Sequence, residues 1–412
     1  MGDANATIGG SWTAEEIEAL LPELREIRHD LHQHPELGFE EHRTSAQVRR
    51  WLEARGYTPQ SCAQTGLWAD LHPSRQDGRE DGRHGGREGP CIALRADLDC
   101  LPMTETTDLP YRSVHDGRAH KCGHDGHTTI LMGVADLLAR HRDRVPGNVR
   151  LVFQPAEEGV RGGGARVMVA EGVLEGVDEI YGLHNWPPFP HGELRVRGGA
   201  VMAQTREIDV AVTGKGGHGS QPQDCRDPIV AAASLITALQ TVVSRGLGSD
   251  GGAVVSICRI RGGSTHNVIP DRVTLGGTVR SFDPAVDARV VERIHEIGRG
   301  VAATYGVEVE LTVTDGYPVL VNHERCADVV RRVGARVVGP ERVSAKSLPI
   351  AGGEDFAYFA QQIPAAYFFL GAGQPGAQTP GCHHPDFDFD DSLIPIGVQM
   401  FLGIVHDRLG AG

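Results

Sequence analysis

A chain of 412 residues exceeds the size at which one hydrophobic core keeps growing, so two domains are expected. Forty Lys and Arg residues against 54 Asp and Glu residues give a net charge of −14, which argues against nucleic acid or an anionic membrane as a partner and favours a small-molecule ligand. Residues 1–16 contain no basic segment followed by an apolar one, and no run of about 18 apolar residues occurs, so neither a secretory signal nor a membrane span is expected.

The eight cysteines are scattered along the chain and include no C-x-x-C pair. In a chain of this length, that pattern is typical of reduced thiols and favours a cytoplasmic location over a disulfide framework. Twenty histidines are many for this length, so some of them are candidate ligands.

The first predicted element is a helix. Apolar residues recur at helical spacing from Ile17 to Leu31, and the helix is expected to end before His34 and Pro35. Further along, residues 74–90 are rich in Gly, Arg and Asp and nearly free of apolar side chains. We interpret this segment as a solvated hairpin loop or a disordered insertion and assign it no role.

Past residue 90, short apolar runs stop abruptly at polar residues with catalytic or metal-binding capacity. The runs are CIALRAD, ending at Asp97; VRLVFQPAEE, ending at Glu157 and Glu158; EIYGLH, ending at His184; and AAYFFLGAG over 365–373, leading to Cys382, His383 and His384. Helical patterns separate several of these runs, which indicates an α/β sheet with parallel strands. Because ligands bind at the carboxyl ends of such strands, the four strand ends predict one shared site.

The pattern of apolar residues changes over residues 199–315. Alternating patterns predict four strands, and two helical segments lie between them, one N-capped by Asp227 and the other over about 284–305. The order strand–helix–strand–strand–helix–strand predicts a ferredoxin-like α+β unit. We expect it to be inserted into a larger domain whose two parts are 1–198 and 316–412.

Residues 121–130, KCGHDGHTTI, bring a thiol, two imidazoles and a carboxylate into one short stretch. In one interpretation they only begin the helix that starts near Gly126, and His127 is solvated. In a second, Cys122 is a nucleophile whose pKa the helix N-terminus lowers. In a third, Cys122 and His124 are ligands of a metal ion and other ligands arrive from elsewhere in the chain.

Two adjacent glutamates, Glu157 and Glu158, follow an apolar strand. Two buried, ionised carboxylates would repel each other, and a metal ion resolves this by taking one of them as a ligand. The other is then free to deprotonate a water, as hydrolytic metal sites require. The alternative is a solvated surface pair.

The predicted strand ends and the 121–130 cluster together supply five ligands and a base. They are Cys122, His124, one of Glu157 and Glu158, His184, and one of His383 and His384. Five ligands suffice for two ions that share a bridging ligand, so the sequence predicts a metal site. Thiolate, imidazole and carboxylate donors suit Zn²⁺ best, although Mn²⁺, Co²⁺ or Ni²⁺ fits the same set.

Nine motifs, in this order, resemble those of the amidohydrolase branch of the aminoacylase and carboxypeptidase metallohydrolases, which includes hippurate hydrolases, auxin-conjugate hydrolases and N-acyl-amino-acid deacylases. The motifs are RADLDCLPM, HKCGHDGHT, FQPAEEG, GLHNWP, GKGGHGS, NVIPD, GTVRSFD, GGEDFAYF and HHPDFDFDD. The resemblance extends from about residue 15 to 405. It implies a di-metal α/β catalytic domain with a central mixed, mostly parallel sheet and an inserted lid or dimerisation domain.

The resemblance also implies a role for individual residues. The metal ligands would be Cys122, His124, Glu158, His184 and His383. Cys122 would bridge the two ions, and Glu157 would be the general base and proton shuttle that activates water and then protonates the leaving amine. The choice of Glu157 as the base, and of His383 over His384, comes from the family pattern and not from spacing.

In the inserted domain, the resemblance implies that His218 polarises the carbonyl and stabilises the oxyanion, in several relatives from the partner subunit. The Gly-rich loop around His218 lacks the Lys-Ser/Thr pair that a phosphate-binding P-loop needs. Asn267 and Arg280 match positions that hold the substrate carboxylate, although Arg280 is alternatively an exposed strand residue. Lys121 stands where relatives usually have a small residue, which we expect to alter the rim of the site.

The sequence therefore predicts a cytoplasmic, metal-dependent amidohydrolase that cleaves N-acyl amino acids and forms a homodimer or a higher homo-oligomer. A dipeptidase or carboxypeptidase of the same fold is the alternative. A non-enzymatic binding protein on this scaffold predicts a broken ligand set, whereas the set is complete here. A thiol enzyme with Cys122 as its nucleophile predicts activity that is indifferent to metal.

Overall fold

The computed structural model describes residues 7–8, 12–72, 89–145, 147–248, 251–374, 376 and 378–410. Most of the predicted loop or insertion at 74–90, namely residues 74–88, lies outside the described residues. The α-helices within the described ranges are α1 (Ala14–Gln33), α2 (His42–Glu53), α3 (His124–Arg140), α4 (Gly163–Ala170), α5 (Pro228–Leu239), α6 (Thr241–Ser244), α7 (Pro284–Tyr305), α8 (Glu324–Val337), α9 (Ala357–Ala360) and α10 (Ile394–Leu409).

The described ranges contain 18 strands. In chain order they are β1 (Thr7–Ile8), β2 (Trp12–Thr13), β3 (Gln60–Cys62), β4 (Gly66–Leu71), β5 (Cys91–Asp97), β6 (Asn148–Gln154), β7 (Glu179–Pro190), β8 (Leu194–Arg195), β9 (Gly199–Met202), β10 (Gln204–Thr213), β11 (Gly217–His218), β12 (Ala253–Gly262), β13 (Val268–Ile269), β14 (Arg272–Ser281), β15 (Glu308–Asp315), β16 (Leu320–Asn322), β17 (Val343–Ser344) and β18 (Ala365–Gly373).

The chain divides into two compact units. The larger unit contains Met1–Val201, Val321–Leu348 and Asp355–Gly412, and the smaller one contains Met202–Leu320 and Pro349–Glu354. A backbone hydrogen bond connects Pro349–Glu354 to the rest of the smaller unit. In this bond, the Ala203 N–H donates to the Gly352 carbonyl at 2.9 Å.

The larger unit is built on an eight-stranded sheet in the order β17-β8-β18-β7-β5-β6-β4-β3. The neighbouring strands β18, β7, β5 and β6 are parallel, and β8 and β4 pair with this block in the antiparallel direction at its two sides. Every residue of β5 and β6 is buried, as expected for strands covered on both faces. The predicted α/β class with a mixed sheet is confirmed.

Helix α1 begins at Ala14 and ends where the sequence predicts. Thr13 and Glu16 form a capping box, and the helix ends at Gln33, just before His34 and Pro35. Its buried apolar face joins α3, α10 and the sheet in one hydrophobic core, to which fully buried residues such as Leu24 contribute. This core fixes α3, which carries part of the candidate site.

The smaller unit contains a four-stranded antiparallel sheet in the order β12-β14-β10-β15. Helices α5 and α7 pack on it through a separate hydrophobic core. Both helices begin as the sequence indicates, because the side chains of Asp227 and Asp283 accept backbone N–H groups and proline occupies the first helical position.

No helix of the described ranges has both the length and the apolar composition needed to cross a membrane. All eight cysteines are free thiols.

Candidate metal centre

Cys122 and His124 flank Gly123 at the start of α3. Gly123 has a φ of 105°, and a Cβ atom at this position would lie 2.0 Å from Oδ1 of Asn185. Only glycine therefore fits the turn, which carries both the Cys122 thiol and the His124 imidazole into the buried interior. Helix α3 begins at His124, slightly earlier than the Gly126 expected from the sequence.

The first group of candidate ligands is Cys122, His124 and His184. Their ligand atoms lie within 4.8 Å of one another, and Sγ of Cys122 is 3.2 Å from Nε2 of His184. The prediction that the strand ends at His184 is wrong, because β7 continues to Pro190. His184 nevertheless lies beyond Gly182, the last residue of β7 that pairs with the neighbouring strand β5.

The second group is Cys122, Glu158 and His383. Their ligand atoms also lie within 4.8 Å of one another, and Nε2 of His383 is 2.8 Å from Oε1 of Glu158. His384 instead accepts the Asp386 N–H at 3.1 Å through its Nδ1 atom, and no such group in the described part of the chain includes it. Cys122 belongs to both groups, which is the position that a bridging ligand requires.

Glu157 lies next to these groups. Its Oε2 atom is 4.0 Å from Nε2 of His124, and Glu157, Glu158 and His124 form a third cluster of ligand atoms. The Glu157 and Glu158 N–H groups donate to the two carboxylate oxygens of Asp99, at 3.0 and 2.7 Å. We did not single out Asp99 from the sequence, where the available signal was a second acid two positions after Asp97.

The loop between β6 and Glu157 turns sharply at Ala156, which has a φ of 53°. The Ala156 N–H donates to Oε1 of Glu41 at 2.8 Å, and the other Glu41 oxygen accepts the Thr65 hydroxyl at 2.5 Å. Two buried carboxyl groups, those of Glu41 and Asp99, therefore fix the backbone that carries Glu157.

The thiol of Cys122 lies in surroundings that disfavour its ionisation. A hydrogen bond with Cys382 and burial raise the pKa of the Cys122 thiol well above its usual value. A free thiol in this position is a poor nucleophile, because the thiolate is the reactive form. A cation bound to the sulfur would remove the proton, so the site favours a metal ligand over a nucleophile.

The two imidazoles differ from each other. Burial opposes protonation of His124, but the carboxylates of Asp97 and Asp99 prevail and raise its pKa to about 10. Burial and the neighbouring His127 lower the pKa of His184 well below its usual value. His184 is therefore neutral and ready to bind a cation, whereas His124 must first lose a proton.

His127 is not the solvated helix-start residue considered from the sequence. Its ring is buried, its Nδ1 atom lies 2.7 Å from Oδ1 of Asp97, and its Nε2 atom lies 2.7 Å from Oδ1 of Asn185. These contacts tie the first turn of α3 to β5 and β7, so the role of His127 is to hold the two strands and the helix together.

The donor set fits a divalent cation. Nε2 of His124 is buried and, within the described residues, has no hydrogen-bond partner, while its Nδ1 atom lies 3.0 Å from the Asp99 carbonyl oxygen. Histidine ligands are typically oriented in this way, with one nitrogen on a carbonyl and the other on the metal. Thiolate, imidazole and carboxylate together are the donors of zinc-type sites.

The smaller unit contains the other three residues singled out from the sequence. His218 and Asn267 lie close together, because β11 pairs with β13 and the Gly219 N–H donates to the Asn267 carbonyl at 2.8 Å. Both side chains are exposed. Arg280 is half-buried on β14, where it donates to the Val279 carbonyl at 2.9 Å.

Asn267 and Arg280 lie toward opposite ends of this unit. Arg272 begins β14, and at the rise of a strand Arg280 is about 26 Å further along. The β11–β13 pair is a separate two-stranded sheet that follows the Arg272 end of the β10–β14 ladder, where the Gly214 N–H donates to the Asp271 carbonyl at 2.8 Å, so Asn267 lies past the end of β14 opposite to Arg280. Within one copy of this unit, the two side chains cannot bind the same small carboxylate.

A mixed α/β sheet with a buried thiol, imidazoles and carboxylates next to a further glutamate is the architecture of a metal-dependent hydrolase. The sequence model of peptidase family M20/M25/M40 matches residues 93–407. The chain therefore belongs to this family. It is an enzyme, an amidohydrolase.

Individual relatives agree with this assignment. An N-acetylcysteine deacetylase of Bacillus subtilis is 40% identical over 377 residues, covering 91% of this chain and 94% of the relative. A hippurate hydrolase of Campylobacter jejuni is 35% identical and covers 92% of this chain and 94% of its own length. The crystal structure of the YXEP protein of Bacillus subtilis, described as a dinuclear metal binding peptidase, has a TM-score of 0.79 at 34% identity, covering 96% of this chain and 100% of that one.

Proposed function

We propose that the enzyme hydrolyses the amide bond of N-acyl amino acids to a carboxylic acid and a free amino acid. The observation that carries the proposal is the membership of Cys122 in two ligand groups, with Glu157 beside them. The deacetylase and the hippurate hydrolase that resemble this chain are both named for substrates of this class.

The cluster would hold two divalent ions, with Zn²⁺ the first candidate and Mn²⁺, Co²⁺ and Ni²⁺ the alternatives. Cys122 would be shared between them. His124 and His184 would complete one ligand set, and Glu158 and His383 the other. The description of the YXEP protein as dinuclear supports the number of ions.

The protein's own residues would divide the chemistry as follows. When bound, a divalent ion supplies a Lewis acid that polarises the amide carbonyl and makes water more acidic. Glu157 would accept the proton of the attacking water and later donate it to the leaving amine nitrogen. Asp99 would hold Glu157 in place for both transfers, because it accepts the Glu157 N–H at 3.0 Å.

The smaller unit would be a ferredoxin-like lid. Its chain order of β10, α5, β12, β14, α7 and β15, with the sheet order β12-β14-β10-β15, supports this proposal. His218 would stabilise the oxyanion that forms on the amide carbonyl. Asn267 and Arg280 would bind the substrate carboxylate.

The separation of Arg280 from Asn267 supports a homodimer. Since one copy of the lid cannot bring both side chains to one carboxylate, the Arg280 and the Asn267 that bind one substrate would come from different subunits. His218 lies beside Asn267 and would come from the same subunit as Asn267. A homodimer with two equivalent sites satisfies this requirement. The cytoplasmic location expected from the sequence stays a prediction.

A substrate panel tests the proposed reaction. Protein reconstituted separately with Zn²⁺, Mn²⁺, Co²⁺ and Ni²⁺ is assayed on N-acetyl and N-benzoyl amino acids and on free dipeptides, with release of the amino acid as the readout. We expect turnover of the acylated substrates and its loss on chelation. Preferential turnover of free dipeptides would favour the dipeptidase alternative instead.

A variant tests the role of Glu157. We expect Glu157→Gln to lower kcat by about 10²–10⁴-fold with bound metal retained, because the amide cannot accept the proton. Glu324→Gln, at the exposed start of α8, is the matched control and should keep normal activity. Full activity of Glu157→Gln would exclude Glu157 as the base.

A further inference from the structure

From the sequence, we expected Lys121 to alter the rim of the site. This expectation is wrong, because the Lys121 side chain is completely buried. Its Nζ atom donates to Oε1 of Glu105 at 2.6 Å and to the Phe387 carbonyl at 2.7 Å. A buried ammonium group is tolerated only when it is paired and hydrogen-bonded, and Glu105 supplies the counter-charge. The position of the ammonium group is therefore tightly specified.

Lys121 holds the segment 383–387 at both ends. Its carbonyl oxygen accepts the His383 N–H at 2.6 Å, and its ammonium group binds the Phe387 carbonyl at the other end. His383 has a φ of 67°, a strained conformation for a residue other than glycine, and its side chain is 54% exposed. The His383 side chain contacts Glu158 at 2.8 Å but is not held by burial, so the position of its backbone depends on these hydrogen bonds.

The Lys121–Glu105 ion pair is continuous with a network of buried charges. Glu105 lies 3.2 Å from Nε2 of His32, whose Nδ1 atom lies 2.8 Å from Asp125 in the first turn of α3. Arg28 contacts Asp125 at 3.5 Å and Asp388 at 2.8 Å. The network therefore joins the helix that begins with His124 to the segment that carries His383, and Lys121 is its link next to Cys122.

We propose that Lys121 is a positioning residue of the metal centre, which fixes His383 relative to Cys122 and Glu158 and so sets the affinity for the ion at that group. The proposal rests on the proposed function only in requiring that the cluster bind divalent ions. Lys121 itself touches neither the ion nor the substrate, and it acts through the His383 and Phe387 backbone.

Lys121→Met tests the proposal, because methionine fills the buried space without a hydrogen-bond donor. We expect the affinity for one of the two ions to fall by about 10–100-fold, as for the loss of an outer-shell partner. The readouts are the number of bound ions, chelator competition, and thiolate–cobalt absorption in the Co²⁺-loaded protein. The kcat value should fall with the lost ion, with little change in KM.

The matched control is Arg408→Met, which breaks the pair between Arg408 and the buried Glu179 at 2.7 and 2.8 Å in the same unit. It should lower the unfolding temperature without changing metal affinity. Lys121→Gln, which keeps an N–H donor, should retain part of the affinity that Lys121→Met loses. If Lys121→Met is only less stable, like the control, and binds both ions with wild-type affinity, the proposal is overturned.

A double variant covers the case in which Lys121→Met does not fold because Glu105 loses its partner. Lys121→Met combined with Glu105→Gln removes both charges, and it should show the same loss of metal affinity. Wild-type affinity in this double variant would also overturn the positioning role. Failure of the wild-type protein to bind any divalent ion is a separate result, and it would overturn the proposed function as well.

Discussion

The Sγ atom of Cys122 lies 3.2 Å from the Nε2 atom of His184, although Cys122 lies just before a helix and His184 lies inside a strand. The Cys122 sulfur also lies within 4.8 Å of a carboxylate oxygen of Glu158 and of a ring nitrogen of His383. Because one sulfur atom serves both groups, its loss should affect both ions. A metal-bridging thiol predicts this loss of both ions, whereas a catalytic thiol does not.

We therefore expect Cys122→Ser to lose both metal ions. The loss of affinity should exceed the roughly 10–100-fold typical of an outer-shell partner, because a shared ligand is removed. Metal content after dialysis is the measurement, and Cys258→Ser, at an exposed thiol, is the control. Retention of two ions together with loss of activity would instead favour Cys122 as a nucleophile.

Asp99→Asn should impair catalysis through the backbone of the Glu157 loop. Asp99 accepts two N–H groups with its two oxygens, and an asparagine would turn an N–H₂ group toward one of them. We expect kcat to fall by roughly 10–100-fold, as for other outer-shell changes. Asp178→Asn is the control, because Asp178 also accepts a backbone N–H, that of Cys91 at the start of β5. Equal effects of the two variants would contradict a specific role of Asp99.

Mixing two inactive variants tests the proposal that His218 acts in the active site of the partner subunit. In the proposed homodimer, exchange of His218→Ala and Glu157→Gln subunits would give mixed dimers in which one site combines an intact Glu157 with an intact His218. Random exchange should restore about a quarter of wild-type activity, because half of the dimers are mixed and each has one complete site. No recovery after verified subunit exchange would place His218 in the site of its own chain.

The stability of the metal-free protein should fall as pH rises through the neutral range. Burial and the Asp99 carboxylate raise the pKa of Glu41 from 4.5 to about 8. The folded state therefore holds a proton that the unfolded state has released, and the stabilisation present below pH 4.5 is lost as pH rises to about 8.

Glu41→Gln mimics the protonated carboxyl and should remove this part of the pH dependence. Its amide can accept the Ala156 N–H and donate to the Thr65 hydroxyl oxygen. Unfolding temperatures at pH 5, 7 and 9 provide the measurement. Glu171→Gln, which changes another carboxylate that accepts a backbone N–H, is the control. An unchanged pH dependence in Glu41→Gln would contradict the assignment.

The local elements of this protein could be predicted from the sequence. The end of α1 and the boundaries of α7 and β18 follow from periodicity, N-caps and proline positions, all of which act over a few residues. The chemistry of the site was also apparent from its donors, because a thiol, imidazoles and adjacent carboxylates suit few other purposes. Local patterns thus determine the type of each element and the kind of ligand that the protein binds.

Only the tertiary structure decided which of these groups meet. The order of the strands brings Cys122 to both His184 and His383, and the backbone turn at His383 selects it over His384. The burial of Lys121 depends in the same way on Glu105 and Phe387, which are distant in sequence. These contacts join segments across the sheet, and no short-range pattern specifies them, because they depend on the packing of the whole core.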